Sequence, residues 1–379
     1  MRNNCDRPLR VLELFSGIGG MHYALSKARD ILTPQVLDFK IIAAIDISDV
    51  ANKVYRHNFP KSNHSGSNIC GITAEKINDW EIDAIFMSPP CQPFTRQGNQ
   101  KDLKDSRTEP LTHLIDILPK LQTLKYMLVE NVKGFETSEA CKQLIEVLHS
   151  LSYDTKSFLI TPTQLGVPNS RLRFYLLATK SNSPWTNIYE NCDPNENIIT
   201  DLTKLSDILP VIKENFPLNT EPNTLEQYLR HGDKDDTLLL PDNILSKYGE
   251  VLDIVKPTSK KSCCFTKSYG RYAEGTGSVI QQDGDLDLIF QKAKMYDKKS
   301  EEYVNILRQL KLRYFAPYEV ADILGFPIKS DRTIDKVQFE FPSDYLERRL
   351  HCYRVLGNSL NVMVVSFLSC ILFTTKSVV

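Results

Sequence analysis

Residues Arg10–Gly20 read RVLELFSGIGG, an apolar run that breaks into a glycine-rich turn and opens onto a helical pattern. Arg10–Phe15 is the first of five short apolar runs, followed by Ile41–Asp46, Ala84–Met87, Met127–Val129 and Phe174–Ala178. Such short runs, rich in Val, Ile, Leu and Phe, suit strands buried on both faces. Helix-like stretches separate them at Met21–Ala28, Val50–Phe59, Leu111–Leu121 and Glu139–Leu148. The alternation predicts an α/β fold, a doubly wound Rossmann-like sheet with its ligand at the strand carboxyl ends.

Composition changes after Lys180. From Ser181 to about Lys261 the chain is rich in Asn, Asp, Pro and Thr, with apolar clusters recurring inside it. It reads as the loop-rich start of a smaller domain. The expected division is 1–180 for a ligand-binding domain, 181–315 for the smaller one, and 316–379 for a segment returning to the first. Val362–Phe373 is apolar apart from Ser366 and Ser369, is too short to span a bilayer, and reads as a buried helix.

Lys and Arg (46) nearly cancel Asp and Glu (47), for a net charge of -1, so a nucleic-acid partner would need a local basic footprint. Nine cysteines without a C-x-x-C pair argue against a disulfide framework or a zinc site. The N-terminus lacks a signal peptide's apolar core, and the expectation is a soluble intracellular protein with no membrane association.

Six places carry chemistry. In Phe15-Ser16-Gly17-Ile18-Gly19-Gly20 the glycines let backbone amides approach a ligand at a helix N-terminus, although a merely tight turn would look the same. The spacing departs from G-x-G-x-x-G. Asp46, at the end of the second strand, suits ribose hydroxyls or a helix cap; with the turn it points to an adenosyl ligand. In Ser88-Pro89-Pro90-Cys91-Gln92-Pro93 the prolines fix the backbone around Cys91 at a strand end. Free cysteines are commonly buried, but strand interiors rarely carry flanking prolines. The polar stretch Thr95–Arg107, with Arg96, Lys101, Lys104 and Arg107, is either a lid with phosphate contacts or a solvated loop. Glu130 ends the next strand, and Arg171 and Arg173 lie on one side of an extended segment, where each alone could be an ordinary ion-pair partner.

F-x-G-x-G-G, P-P-C-Q, E-N-V, R-x-R and Gly357-Asn358-Ser359, in that order, resemble the cytosine carbon-5 methyltransferases. Within them, Cys264-Phe265-Thr266-Lys267, Glu274-Gly275-Thr276-Gly277-Ser278 and Glu130–Glu136 (ENVKGFE) look like the DNA methyltransferase 2 type. The resemblance covers the chain except roughly residues 181–260. It implies an S-adenosylmethionine methyltransferase sheet with a smaller target-recognition domain, S-adenosylhomocysteine as product, and methylation of cytosine 38 in the anticodon loop of tRNA-Asp.

The resemblance also implies roles. Cys91 adds to carbon 6 of the base and makes carbon 5 nucleophilic; Glu130 holds ring nitrogen 3 and the exocyclic amine with a carboxyl of raised pKa; Arg171 and Arg173 hold the base oxygen and the Glu130 region. Phe15, Gly17, Ile18, Gly19, Gly20, Asp46, Ile47, Ile69, Ser88, Asn358 and Ser359 would form the cofactor pocket, with Ile47 and Ile69 on either side of the adenine. Arg96, Lys133, Lys267 and Arg271 would meet tRNA phosphates, with weak DNA binding besides. No metal and no obligate protein partner is expected, and the setting would be cytoplasmic and nuclear. Two departures stand out: Asn68-Ile69-Cys70 replaces an Asp-Ile pair, and Asn169 replaces the Gln before R-x-R. Rival readings are a DNA cytosine methyltransferase, a silent nucleic-acid-binding relative and a cysteine hydrolase. The last lacks a histidine in the motifs that carry Cys91 and Glu130.

Overall fold

The computed structural model describes residues 7–33, 36–90, 109–180, 198–205, 214–218, 221–229, 235–328 and 338–374. The chain forms two compact units: 1–165, 172–219 and 360–379 make the first, 166–171 and 220–359 the second.

The first unit is built on an eight-stranded sheet. In chain order it has β1 (Leu9–Leu14), α1 (Gly20–Leu32), β2 (Phe39–Ile45), α2 (Asp49–Asn58), β3 (His64–Ser65), α3 (Ala74–Asp79), β4 (Ala84–Met87), α4 (Glu109–Ile117), β5 (Tyr126–Val132), α5 (Glu139–Ser150), β6 (Asp154–Ile160), β7 (Arg173–Thr179) and β8 (Ile198–Ile199). The strand order is β3-β2-β1-β4-β5-β7-β6-β8. The first five in that order are parallel, and β7 runs antiparallel between β5 and β6.

Both faces are covered, which is why these strands are apolar without alternation. On one face Leu12, Leu14, Ile45, Ile85, Met87, Met127 and Val129 join residues of α3, α4 and α5 in a single buried cluster. On the other, Phe373 of the C-terminal helix Val362–Thr374 packs on Phe86 and Tyr126, and Phe367 meets Phe216 edge-on. Eleven of that helix's residues are buried, so its hydropathy is that of a core helix.

In the second unit the paired strands β9 (Ile254–Val255) and β10 (Val279–Ile280) lie among short helices. Its core centres on Tyr269, whose ring meets Phe265, Tyr314 and Tyr353 edge-on. The Tyr269 hydroxyl donates to Ser278 O at 2.7 Å and accepts from Phe315 N at 2.9 Å.

Two boundaries differ from the sequence expectation. Residues 198–218 belong to the first unit, because Ile198 and Ile199 extend its sheet beside β6 and Phe216 packs on its last helix. The return to the first unit starts at Leu360 and not at 316, because Tyr314, Phe315 and Tyr353 are part of the Tyr269 cluster.

Candidate active site

The turn after β1 is strained. Phe15 has φ 54°, a left-handed conformation that an aromatic residue rarely adopts, followed by Gly17 at 53° and Gly19 at 88°. The distortion is held from several sides. Ser16 N donates to Ile45 O at 3.1 Å, Ser88 Oγ donates to Phe15 O at 3.2 Å, and Gly17 N donates to the Asp46 carboxylate at 2.8 Å. A Cβ on Gly19 would come within 2.6 Å of the Phe59 ring, so only glycine fits there.

Asp46 uses its other oxygen to accept from Ser48 N at 2.7 Å, thereby joining the two strand ends. Burial pushes its carboxyl pKa up, against the opposing pull of the Ser48 and Gly17 amides. Buried Asn52 locks the arrangement by donating to Asp46 O at 2.9 Å. Beside Asp46, Ile47 is 70% exposed, an unusual state for an isoleucine next to a polar turn. Ser16 Oγ is buried without a hydrogen-bond partner among the described residues. An adenosyl amino acid fits both observations, covering the one apolar side chain and partnering the one buried hydroxyl.

Other expected cofactor residues divide. The side chains of Ile18 and Ile69 are buried, and Ile69 belongs to the hydrophobic cluster under the sheet. Asn68 caps the short turn after β3 by accepting from Cys70 N at 3.0 Å, which gives its side chain a local role. Exposed Asn358 ends the helix Arg349–Gly357 of the second unit, and Ser359 is that unit's last residue.

Ser88, Pro89 and Pro90 continue β4 and lead to Cys91; Cys91 and Arg96 lie outside the described residues. Buried Asn131 donates to Pro89 O at 3.4 Å, and its own Oδ1 accepts from Val132 N at 2.8 Å. Asn131 therefore anchors the approach to the cysteine. Within E-N-V nothing in the sequence alone assigns Asn131 this task.

Register explains the next contact. Val132 pairs with Arg173 across β5 and β7, so Glu130, two residues back, shares their face. Arg173 Nε lies 3.6 Å from Glu130 Oε1, both side chains being mostly buried. Arg171 goes elsewhere, which corrects its assignment to the Glu130 region. It donates to Cys264 Sγ at 3.3 Å, Phe265 O at 3.2 Å, Gly357 O at 3.4 Å and Ser359 O, all in the second unit. Asn169, the substituted residue before R-x-R, donates to Ser262 Oγ at 3.1 Å and Cys263 O at 2.9 Å. Lys133, Lys267 and Arg271 are exposed.

Asp46→Ala removes the acceptor shared by Gly17 and Ser48. Its affinity for S-adenosylmethionine is expected to fall by roughly 1–3 kcal/mol. Titration calorimetry showing unchanged affinity would reduce Asp46 to a cap for α2.

Comparison with known proteins covers almost the whole chain. The family model for C-5 cytosine-specific DNA methylases matches residues 9–370. A tRNA (cytosine(38)-C(5))-methyltransferase of Homo sapiens is 39% identical, covering 97% of this chain and 99% of that protein. Its counterpart in Spodoptera frugiperda is 41% identical, covering 96% and 99%. A crystal structure of a mutant Spodoptera frugiperda DNMT2 superposes with a TM-score of 0.79 at 40% identity, over 96% of this chain and 99% of that one. The chain belongs to the C-5 cytosine methyltransferases, in their DNMT2 branch, and its methyl donor is S-adenosylmethionine.

Proposed function

We propose that this enzyme methylates carbon 5 of cytosine in tRNA, at cytosine 38 in the anticodon loop of tRNA-Asp. The observation that carries the chemistry is the Glu130–Arg173 pair at the end of β5, beside a Pro89 carbonyl fixed by Asn131. A carboxyl held by a guanidinium stands on β5, the strand paired with β4, which leads to Cys91 in the sequence. Relatives similar over the full length bear the tRNA cytosine-38 name, which supports the substrate.

In this reading the Cys91 thiolate forms a bond to carbon 6, and the ring's electrons move toward carbon 5. Glu130 binds ring nitrogen 3 and the exocyclic amine, while Arg173 keeps its carboxyl in place. The Phe15–Gly20 turn, Asp46 and Ile47 would hold S-adenosylmethionine, which would supply the methyl group to carbon 5 and leave as S-adenosylhomocysteine. Loss of the carbon-5 proton then expels Cys91 and restores the aromatic ring. An anticodon-loop cytosine is already partly unpaired, so extruding it costs less than extruding one from a duplex.

Exposed Lys267 and Arg271 end a stretch rich in cations, with Lys256, Lys260 and Lys261 before them and no acidic residue between Ile254 and Ala273. Charge reversal at Lys267 or Arg271 is expected to weaken tRNA binding and flatten its salt dependence, with cofactor binding untouched. The deciding experiment supplies labelled S-adenosylmethionine with total tRNA or duplex DNA and maps the methylated base. A preference for duplex DNA in direct competition overturns the substrate.

A further inference from the structure

Glu13 is the fifth residue of a six-residue strand in the middle of the sheet and is fully buried. A buried carboxyl in a central strand weakens the core unless something requires it. It directly precedes Leu14 and the strained Phe15. Its Oε2 lies 2.8 Å from the Tyr55 hydroxyl, and that hydroxyl lies 3.1 Å from His22 Nδ1. His22 sits in the first turn of α1 and stacks on Phe59, with ring centroids 3.8 Å apart and planes at 12°. Phe59 is the ring that fills the space beside Gly19. Glu13, Tyr55, His22, Phe59 and Gly19 therefore form a run of contacts that begins just before the glycine-rich turn and ends within it.

The run has a definite proton inventory. Tyr55 has one hydroxyl hydrogen for two neighbours. If Glu13 is ionised, Tyr55 donates to it, and the link to His22 then requires the His22 proton on Nδ1, donating to the Tyr55 oxygen. If Glu13 carries a proton, both bonds run the other way, Glu13 donating to Tyr55 and Tyr55 to Nδ1 of a neutral His22, and no charge is buried under the turn. Burial favours this state at both ends. It pushes the Glu13 carboxyl up to about 8, against the pull of Tyr55 and the amides of His22 and Met21, with Asp46 adding to the rise. It pushes His22 down to about 3, with Arg29 adding to the fall. Tyr55 also faces Tyr23, and His64, itself near Arg56, lies 4.7 Å from it ring to ring.

We infer that Glu13 is a positioning residue for methyl transfer: through Tyr55 and His22 it braces the Phe15–Gly20 turn in the shape that receives S-adenosylmethionine. Ionising Glu13 puts a charge in the core under the turn and reverses both hydrogen bonds, which loosens the turn, so cofactor affinity falls as pH rises through the upper range. The inference rests on the cofactor assignment and is independent of the tRNA reading, because its test contains no nucleic acid.

The test measures S-adenosylhomocysteine binding by calorimetry at pH 7 and pH 9 in the wild type, Glu13→Gln, Glu13→Leu and Tyr55→Phe. The ligand's own amine titrates in this range, so the readout is the ratio of each variant to the wild type. Glutamine keeps a neutral donor and rescues affinity at pH 7. By pH 9 the wild type binds roughly tenfold more weakly than Glu13→Gln. Glu13→Leu keeps the volume without the donor and binds several-fold more weakly than the wild type at pH 7, as does Tyr55→Phe. A wild-type to Glu13→Gln ratio that stays constant from pH 7 to pH 9 overturns the inference. So does Tyr55→Phe binding as tightly as the wild type.

Discussion

Replacing Cys91 with alanine yields a protein that still binds S-adenosylmethionine and transfers no measurable methyl group. The cytosine ring is aromatic, and its carbon 5 gains nucleophilic character only when a thiolate has added to carbon 6. Removing that addition costs at least roughly 10⁴-fold in rate, about 5 kcal/mol at the transition state. Cofactor affinity survives because the groups that shape its pocket are side chains and backbone other than Cys91. Gly17 and Asp46 meet across the ends of β1 and β2, and Ser88 reaches Phe15 O through its own side chain. Two measurements separate the effects: calorimetry with S-adenosylhomocysteine, and single-turnover methyl transfer to tRNA. Turnover by Cys91→Ala within a few fold of the wild type would sink the covalent mechanism. Loss of cofactor binding in parallel would mean that the cysteine shapes the pocket and has no separate chemical task.

Much of the first unit was legible because its central strands are buried on both faces. β1, β4 and β7 read as plain apolar runs, and the structure places them within a residue or two of the expected ends. β6 was missed. Its sequence DTKSFLI begins with polar residues, and its first half is exposed or half-buried, so it carries no unbroken apolar signal. The last boundary was misplaced for another reason: the helices from Pro317 onward resemble a return to the first unit, but the aromatic cluster around Tyr269 holds them in the second. R-x-R shows where local pattern ends. Alternation gave two equivalent arginines, whereas pairing of β7 with β5 delivers Arg173 to Glu130 and leaves Arg171 to bind four groups distant in sequence. Those partners lie about 90 and 190 residues along the chain, beyond the reach of any spacing rule.

Gly357→Ala is expected to be among the most destabilising small substitutions in the protein. A Cβ at this position would overlap the backbone nitrogen of Lys267 and the carbonyl of Thr266. Those atoms are main chain, so no side-chain rotation can relieve the clash, and one of the two segments must move. Movement is resisted on both sides. Thr266 N donates to Thr276 O at 2.9 Å, and Phe265 is buried against Phe315 and Tyr269. Arg171 binds Phe265 O on one segment and Gly357 O and Ser359 O on the other, so prising them apart also opens a buried guanidinium network. Overpacking of this kind costs about 3 kcal/mol or more. Gly71→Ala is the control, since nothing lies within 4 Å of a Cβ there; its stability should stay within about 0.5 kcal/mol of the wild type. The two variants are compared by their urea midpoints. Equal midpoints would show that the Cys264–Lys267 and Gly357–Ser359 segments do not pack backbone to backbone. A large loss confined to Gly357→Ala explains the glycine of Gly357-Asn358-Ser359 by space alone, since any Cβ at this position meets main chain.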